Sequence, residues 1–190
     1  ITARPLTVTA NTDTREYTAD TASAVAPTLT TGVVQSGDSV TWTQVFNTKA
    51  VGTGKTLTPS GLVTDGNSGL NYSYTYTPVS TGVITAKALT VSGVTANEKV
   101  YDAALTASLN LGSAAFVGVI SGDTVTIGTG SAAGAFADKN VGTGKTVTVS
   151  LISKSGDDAG NYSITQPTTT ADITARPLTV TANTDTREYT

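Results

Sequence analysis

The sequence holds no cysteine, no histidine and no methionine, and a single tryptophan. No disulfide, thiolate or imidazole metal site, cysteine nucleophile or histidine base can be built from such a chain. Its fold must rest on packing and strand pairing alone, and the same absence would suit a chain exported unfolded, an expectation that composition by itself does not establish. Charge is sparse too: Asp, Glu, Lys and Arg make up 13% of residues, the net charge is −3, and no cluster of Lys or Arg occurs. A nucleic-acid partner is therefore not expected. No apolar run approaches the ~20 residues of a membrane span, so membrane insertion is not expected either. Glutamate occurs only at Glu16, Glu98 and Glu188, and nothing in the pattern places two aspartates in one pocket. The expectation is a chain that is not an enzyme and uses no cofactor and no metal.

What the chain does have is repetition. Ile1–Thr18 reads ITARPLTVTANTDTREYT, and Ile173–Thr190 repeats it without a change. A diverged copy, ITAKALTVSGVTANEKVYD, begins at Ile84, so the copies start 83 and 89 residues apart and the larger period is 172. Self-similarity at a regular period marks a cut from a tandem array. The expected organisation is two modules, 1–83 and 84–172, with 173–190 opening the next repeat and completing a boundary strand. Each module is long enough for a modest core.

The local signals are those of strands. Thr and Val, stiff at χ1, suit a pleated surface better than a helix. Leu6–Thr7–Val8–Thr9, Val40–Thr41–Trp42–Thr43 and Thr146–Val147–Thr148–Val149 alternate with period two, which places one face in a core and one in water. Gly, Asn and Asp punctuate these runs at Ser36-Gly37-Asp38, Asp65-Gly66-Asn67, Ser121-Gly122-Asp123 and Gly156-Asp157-Asp158, as tight turns require. The best helix candidate is Ser131–Asp138, short and interrupted by glycine. The pattern predicts a mainly β chain with at most one short helix per module.

Overlaying the halves aligns Ser36–Trp42 with Ser121–Ile127, Lys49–Thr56 with Lys139–Thr146, Asn71-Tyr72-Ser73 with Asn161-Tyr162-Ser163, and, after a one-residue shift, Tyr17 with Tyr101. Gly turns, apolar strand positions and a few tyrosines recur. That is a repeated scaffold rather than a repeated reaction centre.

Several motifs invite sharper readings. Gly52-Thr53-Gly54-Lys55-Thr56 suggests a phosphate loop, but Lys49 and Lys139 stand where that motif needs its first glycine, and strand-like residues follow instead of a helix. Trp42 aligns with Ile127, which favours core packing over a sugar-stacking platform. Tyr72, Tyr74 and Tyr76 share one face of a strand and are the candidate binding residues for a carbohydrate. The second module has Tyr162, Ile164 and Gln166 there, so cross-strand packing is preferred. Asp65, Asn67 and Asn71 offer oxygens for calcium, but Asp65 aligns with Ser155, which argues for a solvated turn. Asn71 and Asn161 open N-x-S sequences of little weight without a known host. The Thr-x-Thr pairs lie on separate strands and read as ordinary strand patterning, not an ice-binding ladder. No feature singles out a Lys–Asn pair for a cross-link.

Four strings of the second half, in order, resemble the YDG repeat family: Val100-Tyr101-Asp102, Gly118–Asp123, Ala137–Lys145 and Asp158–Tyr162. The opening of the first half, Ala3–Ala10, is similar to the related MBG group. The resemblance departs at Ala103, where the family name's glycine is replaced, and at Tyr17-Thr18, where Tyr-Asp would stand. It covers nearly the whole chain and implies two tandem β-grasp-like modules, end to end and elongated. It implies a setting in large secreted or cell-surface bacterial proteins, including filamentous-haemagglutinin-like adhesins, and no catalytic residues. The function expected is a spacer that holds an adhesive region away from the cell. The competing expectation is a module that binds a glycan or host protein multivalently through the array. Partners are expected among neighbouring repeats of the same chain, with the fragment itself monomeric.

Overall fold

The computed structural model describes residues 1–189, and the chain is mainly β. The first repeat contributes β1 (Arg4–Thr9), β2 (Thr14–Glu16), β3 (Thr28–Thr31), β4 (Thr43–Phe46), β5 (Gly52–Ser60), β6 (Tyr72–Thr77) and β7 (Val79–Thr85). After it come β8 (Lys87–Ser92), β9 (Thr95–Ala96), β10 (Lys99–Val100), β11 (Thr106–Ala107), β12 (Leu109–Asn110) and β13 (Ala115–Val117). The last strands are β14 (Thr126–Gly128), β15 (Ala133–Phe136), β16 (Gly142–Ser150), β17 (Ser153–Ser155), β18 (Tyr162–Ile164) and β19 (Thr168–Thr174). The one helical turn among the described residues is a 3-10 turn at Ala159–Asn161.

The chain divides into two compact units. The first comprises Ile1–Leu89, Val117–Thr126 and Lys154–Thr165; the second comprises Thr90–Phe116, Ile127–Ser153 and Gln166–Thr190. In the first unit, β1 lies between antiparallel β3 and parallel β6, with Leu6 opposite Tyr74 and Val8 opposite Tyr76. A second sheet of this unit runs β2-β7-β5-β4. Parallel pairing of Tyr162–Ile164 with Lys87–Leu89 also belongs here and repeats the β1–β6 arrangement. The second unit holds a sheet ordered β10-β19-β16-β15-β11 and the antiparallel pair β12-β9.

Alternation drives the cores. In β5 the side chains of Leu57 and Pro59 are buried while Thr58 and Ser60 face water. In β16 the same phase buries Val147 and Val149. Leu6, Val63 and Tyr72 form one buried cluster of the first unit, with Leu29, Val34, Val40, Trp42 and Tyr74 packed against it. In the second unit Ala107, Phe136, Val147, Ala171 and Ile173 form another. Each unit also sets a cation over its buried phenylalanine: Arg15 lies 5.0 Å from the Phe46 ring centroid, and Lys99 lies 5.3 Å from that of Phe136. Such contacts offset part of the cost of drawing a cation away from water.

The helix candidate at Ser131–Asp138 is instead a strand. Ala133–Phe136 pairs antiparallel with Phe136 opposite Val147 and Ala135 opposite Thr148, and buries Gly134 and Phe136 in alternation. Ladder pairing with β16 on one side and β11 on the other outweighs the helix preference of its alanines. Gly134 fits because a Cβ there would lie 2.7 Å from Leu109 Cδ2 and 3.0 Å from the Ala107 carbonyl oxygen.

The repeated ITA segment closes one sheet and opens the next pairing. Ile84 and Thr85 end β7, Ala86 intervenes, and Lys87 begins β8. Ile173 and Thr174 end β19 in the same manner, pairing with Lys99 and Val100. Both boundary isoleucines are 1% exposed.

Candidate functional site

Tyr72, Tyr74 and Tyr76 do lie on one face of β6, and the structure gives each hydroxyl a partner in the chain itself. Tyr72 is buried; its hydroxyl donates to Asp38 Oδ2 at 2.5 Å and accepts from the Gln35 N–H at 3.0 Å. Tyr74 donates to the Gly69 carbonyl at 3.0 Å and accepts from the Val63 N–H at 3.1 Å. Tyr76 donates to the Gly61 carbonyl. The rings of Tyr74 and Tyr76 stack 6.0 Å apart, and Trp42 meets Tyr74 edge-on at 6.2 Å. Tyr74, Tyr76 and Trp42 are half-buried. Their faces and hydroxyls are used in packing this sheet, which leaves a sugar little aromatic surface to stack on.

The other candidates resolve into turns. Asp65 Oδ1 accepts from the N–H groups of Asn67 and Gly69, both at 2.8 Å, and Oδ2 from that of Asn71 at 3.1 Å. Burial pushes this carboxyl up, but the three donors outweigh it and leave its pKa below the ordinary value. A shallow cavity of about 460 Å³ adjoins the turn, lined by Leu62, Val63, Thr64, Asp65, Gly66 and Ser68. Among the described residues no group of three or more Asp or Glu could hold a metal ion. Both Gly-Thr-Gly-Lys-Thr segments begin long strands, β5 and β16, with a ladder irregularity between the glycine and the lysine.

The most developed polar site joins the two repeats inside the first unit. Tyr17, fully buried, donates to Asp123 Oδ2 at 2.9 Å. Tyr162, 2% exposed, donates to the same oxygen at 2.6 Å. The two rings meet edge to face at 5.5 Å and 75°. Lys49 brings its ammonium within 3.6 Å of Asp123 and 3.8 Å of Asp158. Asp158 Oδ2 in turn accepts from the Thr124 N–H at 2.9 Å, and Asn161 Oδ1 accepts from the Val51 N–H at 3.0 Å. Three groups of the first repeat thus meet four residues of the second. Backbone bonds hold both sides: the Ser121-Gly122-Asp123 turn closes by the Asp123 N–H on the Ile120 carbonyl, and the Tyr17 N–H, continuing the β2–β7 pairing, is fixed on the Thr85 carbonyl.

The electrostatics follow from burial. The Asp123 side chain is 2% exposed, and a carboxylate so placed needs hydrogen bonds and a counter-charge. Burial pushes its pKa up, but donation by Tyr162 and Tyr17 and the nearby Lys49 ammonium outweigh it, so the net value lies below the ordinary 3.8. Burial first, and then the hydrogen bond to Asp123, push Tyr17 and Tyr162 from 10.0 up to about 12. A lowered carboxylate stabilises the fold above the unfolded value and loses that contribution as pH falls through the folded one. A raised phenol does the opposite: the folded form keeps protons that the unfolded chain gives up between 10.0 and about 12, so stability falls across that window. Urea unfolding of the first unit is therefore expected to weaken below pH 3.8 and again above pH 10. Tyr17→Phe should remove part of the alkaline decline. An unchanged alkaline limb in that variant would refute the assignment.

The sequence held a signal for this site that pairing logic missed. Ser-Gly-Asp and Asn-Tyr-Ser recur in both halves, and Tyr17 aligns with Tyr101. Their meeting across a repeat boundary, 106 residues apart in Tyr17–Asp123, is what no local pattern contains.

Comparison with known proteins gives one family. The YDG domain model matches residues 2–80 and again 85–171, so both halves carry the same kind of domain, the one with the MBG-like opening included. No curated protein and no solved structure gives a significant match.

Proposed function

The chain belongs to the YDG domain family, carrying the domain twice in tandem, and from that premise we propose that it is a structural spacer, a stretch of repeat array that sets a distance. The observation that carries this reading is how the repeats are fastened. A single residue, Ala86, separates β7 from β8. Beside it, two buried tyrosines share one aspartate across the repeat boundary. A Gly/Ser linker would leave the joint free to swing; a desolvated, hydrogen-bonded joint opposes that. Surface charge pairs contribute little to such a joint, whereas a buried carboxylate with its donors withdrawn costs several kcal/mol, on the order of 3–5.

The secreted or cell-surface setting, and the role of extending a distal adhesive region, come from the resemblance to repeats of large bacterial adhesins. Multivalent binding of a glycan or host protein is the rival, and small-angle scattering separates the two. Arrays of one, two and four 172-residue periods are expected to gain maximum dimension in proportion to their number. A dimension that levels off would end the spacer reading and send the question to glycan and host-protein screens.

A further inference from the structure

The internal joint is a template, and both of its halves recur without the matching half against them among the described residues. Its socket is Asp123 with Tyr162, whose hydroxyl accepts from the Ile120 N–H at 3.0 Å. The first repeat builds the same socket from Asp38 and Tyr72, with the Gln35 N–H on the tyrosine oxygen at 3.0 Å. The plug consists of Tyr17, Lys49 and the Val51 N–H. By repeat alignment its second copy consists of Tyr101, Lys139 and the Val141 N–H. Local geometry agrees: the Tyr17 N–H bonds the Thr85 carbonyl and the Tyr101 N–H the Thr174 carbonyl, each at 2.9 Å.

Exposure marks which halves are covered. Tyr17 is fully buried and Val51 half-buried, while Tyr101 is half-buried and Val141 is 53% exposed. Asn161, which receives the Val51 N–H, is half-buried, and its counterpart Asn71 is exposed. The residues that follow β19 repeat the opening of the first repeat letter for letter.

We infer that Tyr101, Lys139 and the Val141 N–H are the plug for a following repeat of the first type, docking on that repeat's Asp38–Tyr72 socket and Asn71. The occupant is thus another repeat of this protein rather than a foreign ligand. A carboxylate already holding one phenol has lone pairs left for a second phenol and an ammonium. The two joints are not equal. Ser68 stands where the internal joint has Asp158, so Lys139 meets one carboxylate instead of two. An array built this way alternates a joint with two carboxylates and a joint with one.

The inference rests on the array reading proposed above, and its test reads single amides rather than length. The 190-residue chain is compared with the same chain continued so that its tail runs on through a second copy of residues 19–172. Hydrogen exchange at the Val141 amide is expected to slow by about tenfold or more in the longer chain, the scale of one added buried hydrogen bond. The Val51 amide, already held by Asn161, should not change. Tyr101→Phe in the longer chain should restore much of the faster exchange at Val141 and leave Val51 alone. Equal exchange at Val141 in the two chains, or slowed exchange indifferent to Tyr101→Phe, overturns the assignment. An array that still lengthens in proportion to its repeats would then keep the spacer reading while losing this joint; collapse in scattering with a protected Val141 would do the reverse.

Discussion

Tyr17→Ala is expected to destabilise the first unit by about 3–5 kcal/mol, the range for removing a large buried aromatic. Three losses combine. The ring leaves a cavity against Tyr162, which it meets at 5.5 Å. The edge-to-face pair, worth about 0.5–1.5 kcal/mol beyond burial, disappears. Asp123 keeps Tyr162 and Lys49 but loses one of its two phenol donors. Tyr17→Phe isolates the last term and should cost about 1.5–3 kcal/mol, the scale of a hydrogen bond to a charged group. Lys49→Ala should cost under about 1 kcal/mol, because that side chain is 46% exposed and its charge is screened. The sequence supplies its own control: Tyr189 occupies the same place in an identical peptide and is fully exposed, so Tyr189→Ala should stay within about 0.5 kcal/mol of the parent. Urea unfolding followed by the fluorescence of Trp42 reads the first unit, and the midpoint shift at constant slope gives the difference. A Tyr17→Ala variant as stable as Tyr189→Ala would show that the joint contributes nothing to holding the repeats together.

That pair of tyrosines also shows what a sequence can and cannot disclose. The eighteen residues beginning at Ile1 and at Ile173 are identical, yet the first copy forms β1 and β2 while among the described residues of the last copy only Ile173 and Thr174 lie in a strand. Local preference for extended backbone is the same in both. What differs is the company of β3, β6 and β7, and pairing partners decide strand formation. Alternation was enough to place Leu6 and Val147 inwards, because period two needs no knowledge of the partner strand. It failed at Ser131–Asp138, where alanines and a glycine carry little side-chain signal and the ladder with β16 settles the conformation. The tyrosine row on β6 was legible as a shared face. Its hydroxyl partners at Asp38, Gly69 and Gly61 were not, since they stand 34, 5 and 15 residues away in loops and turns that only the fold brings against the row. The joint at Asp123 was least legible, because each half is an ordinary turn or strand end until the other half meets it.

The same reasoning makes the boundary isoleucines the second large effect. Ile84 sits in β7 between Arg15 of β2 and Gly52 of β5, and Ile173 sits in β19 between Lys99 of β10 and Gly142 of β16. Each strand is central to its sheet and each side chain is 1% exposed. Deleting three carbons there removes buried apolar surface and leaves a cavity that paired neighbours on both sides cannot collapse into. Ile84→Ala and Ile173→Ala are each expected to cost about 2–5 kcal/mol. Ile1→Ala, in the same ITA sequence but fully exposed, should cost under about 0.5 kcal/mol. The two buried variants should also separate by unit. Ile84→Ala shifts the Trp42 transition, because Trp42 lies in the first unit; Ile173→Ala speeds amide exchange in β16 and β19 of the second. Equal, small effects at all three isoleucines would mean that the ITA segment merely connects the sheets. Large effects at the two buried ones would place the boundary strand within the core of each sheet it closes, so that a pull along the chain must break a central strand before it can loosen a joint.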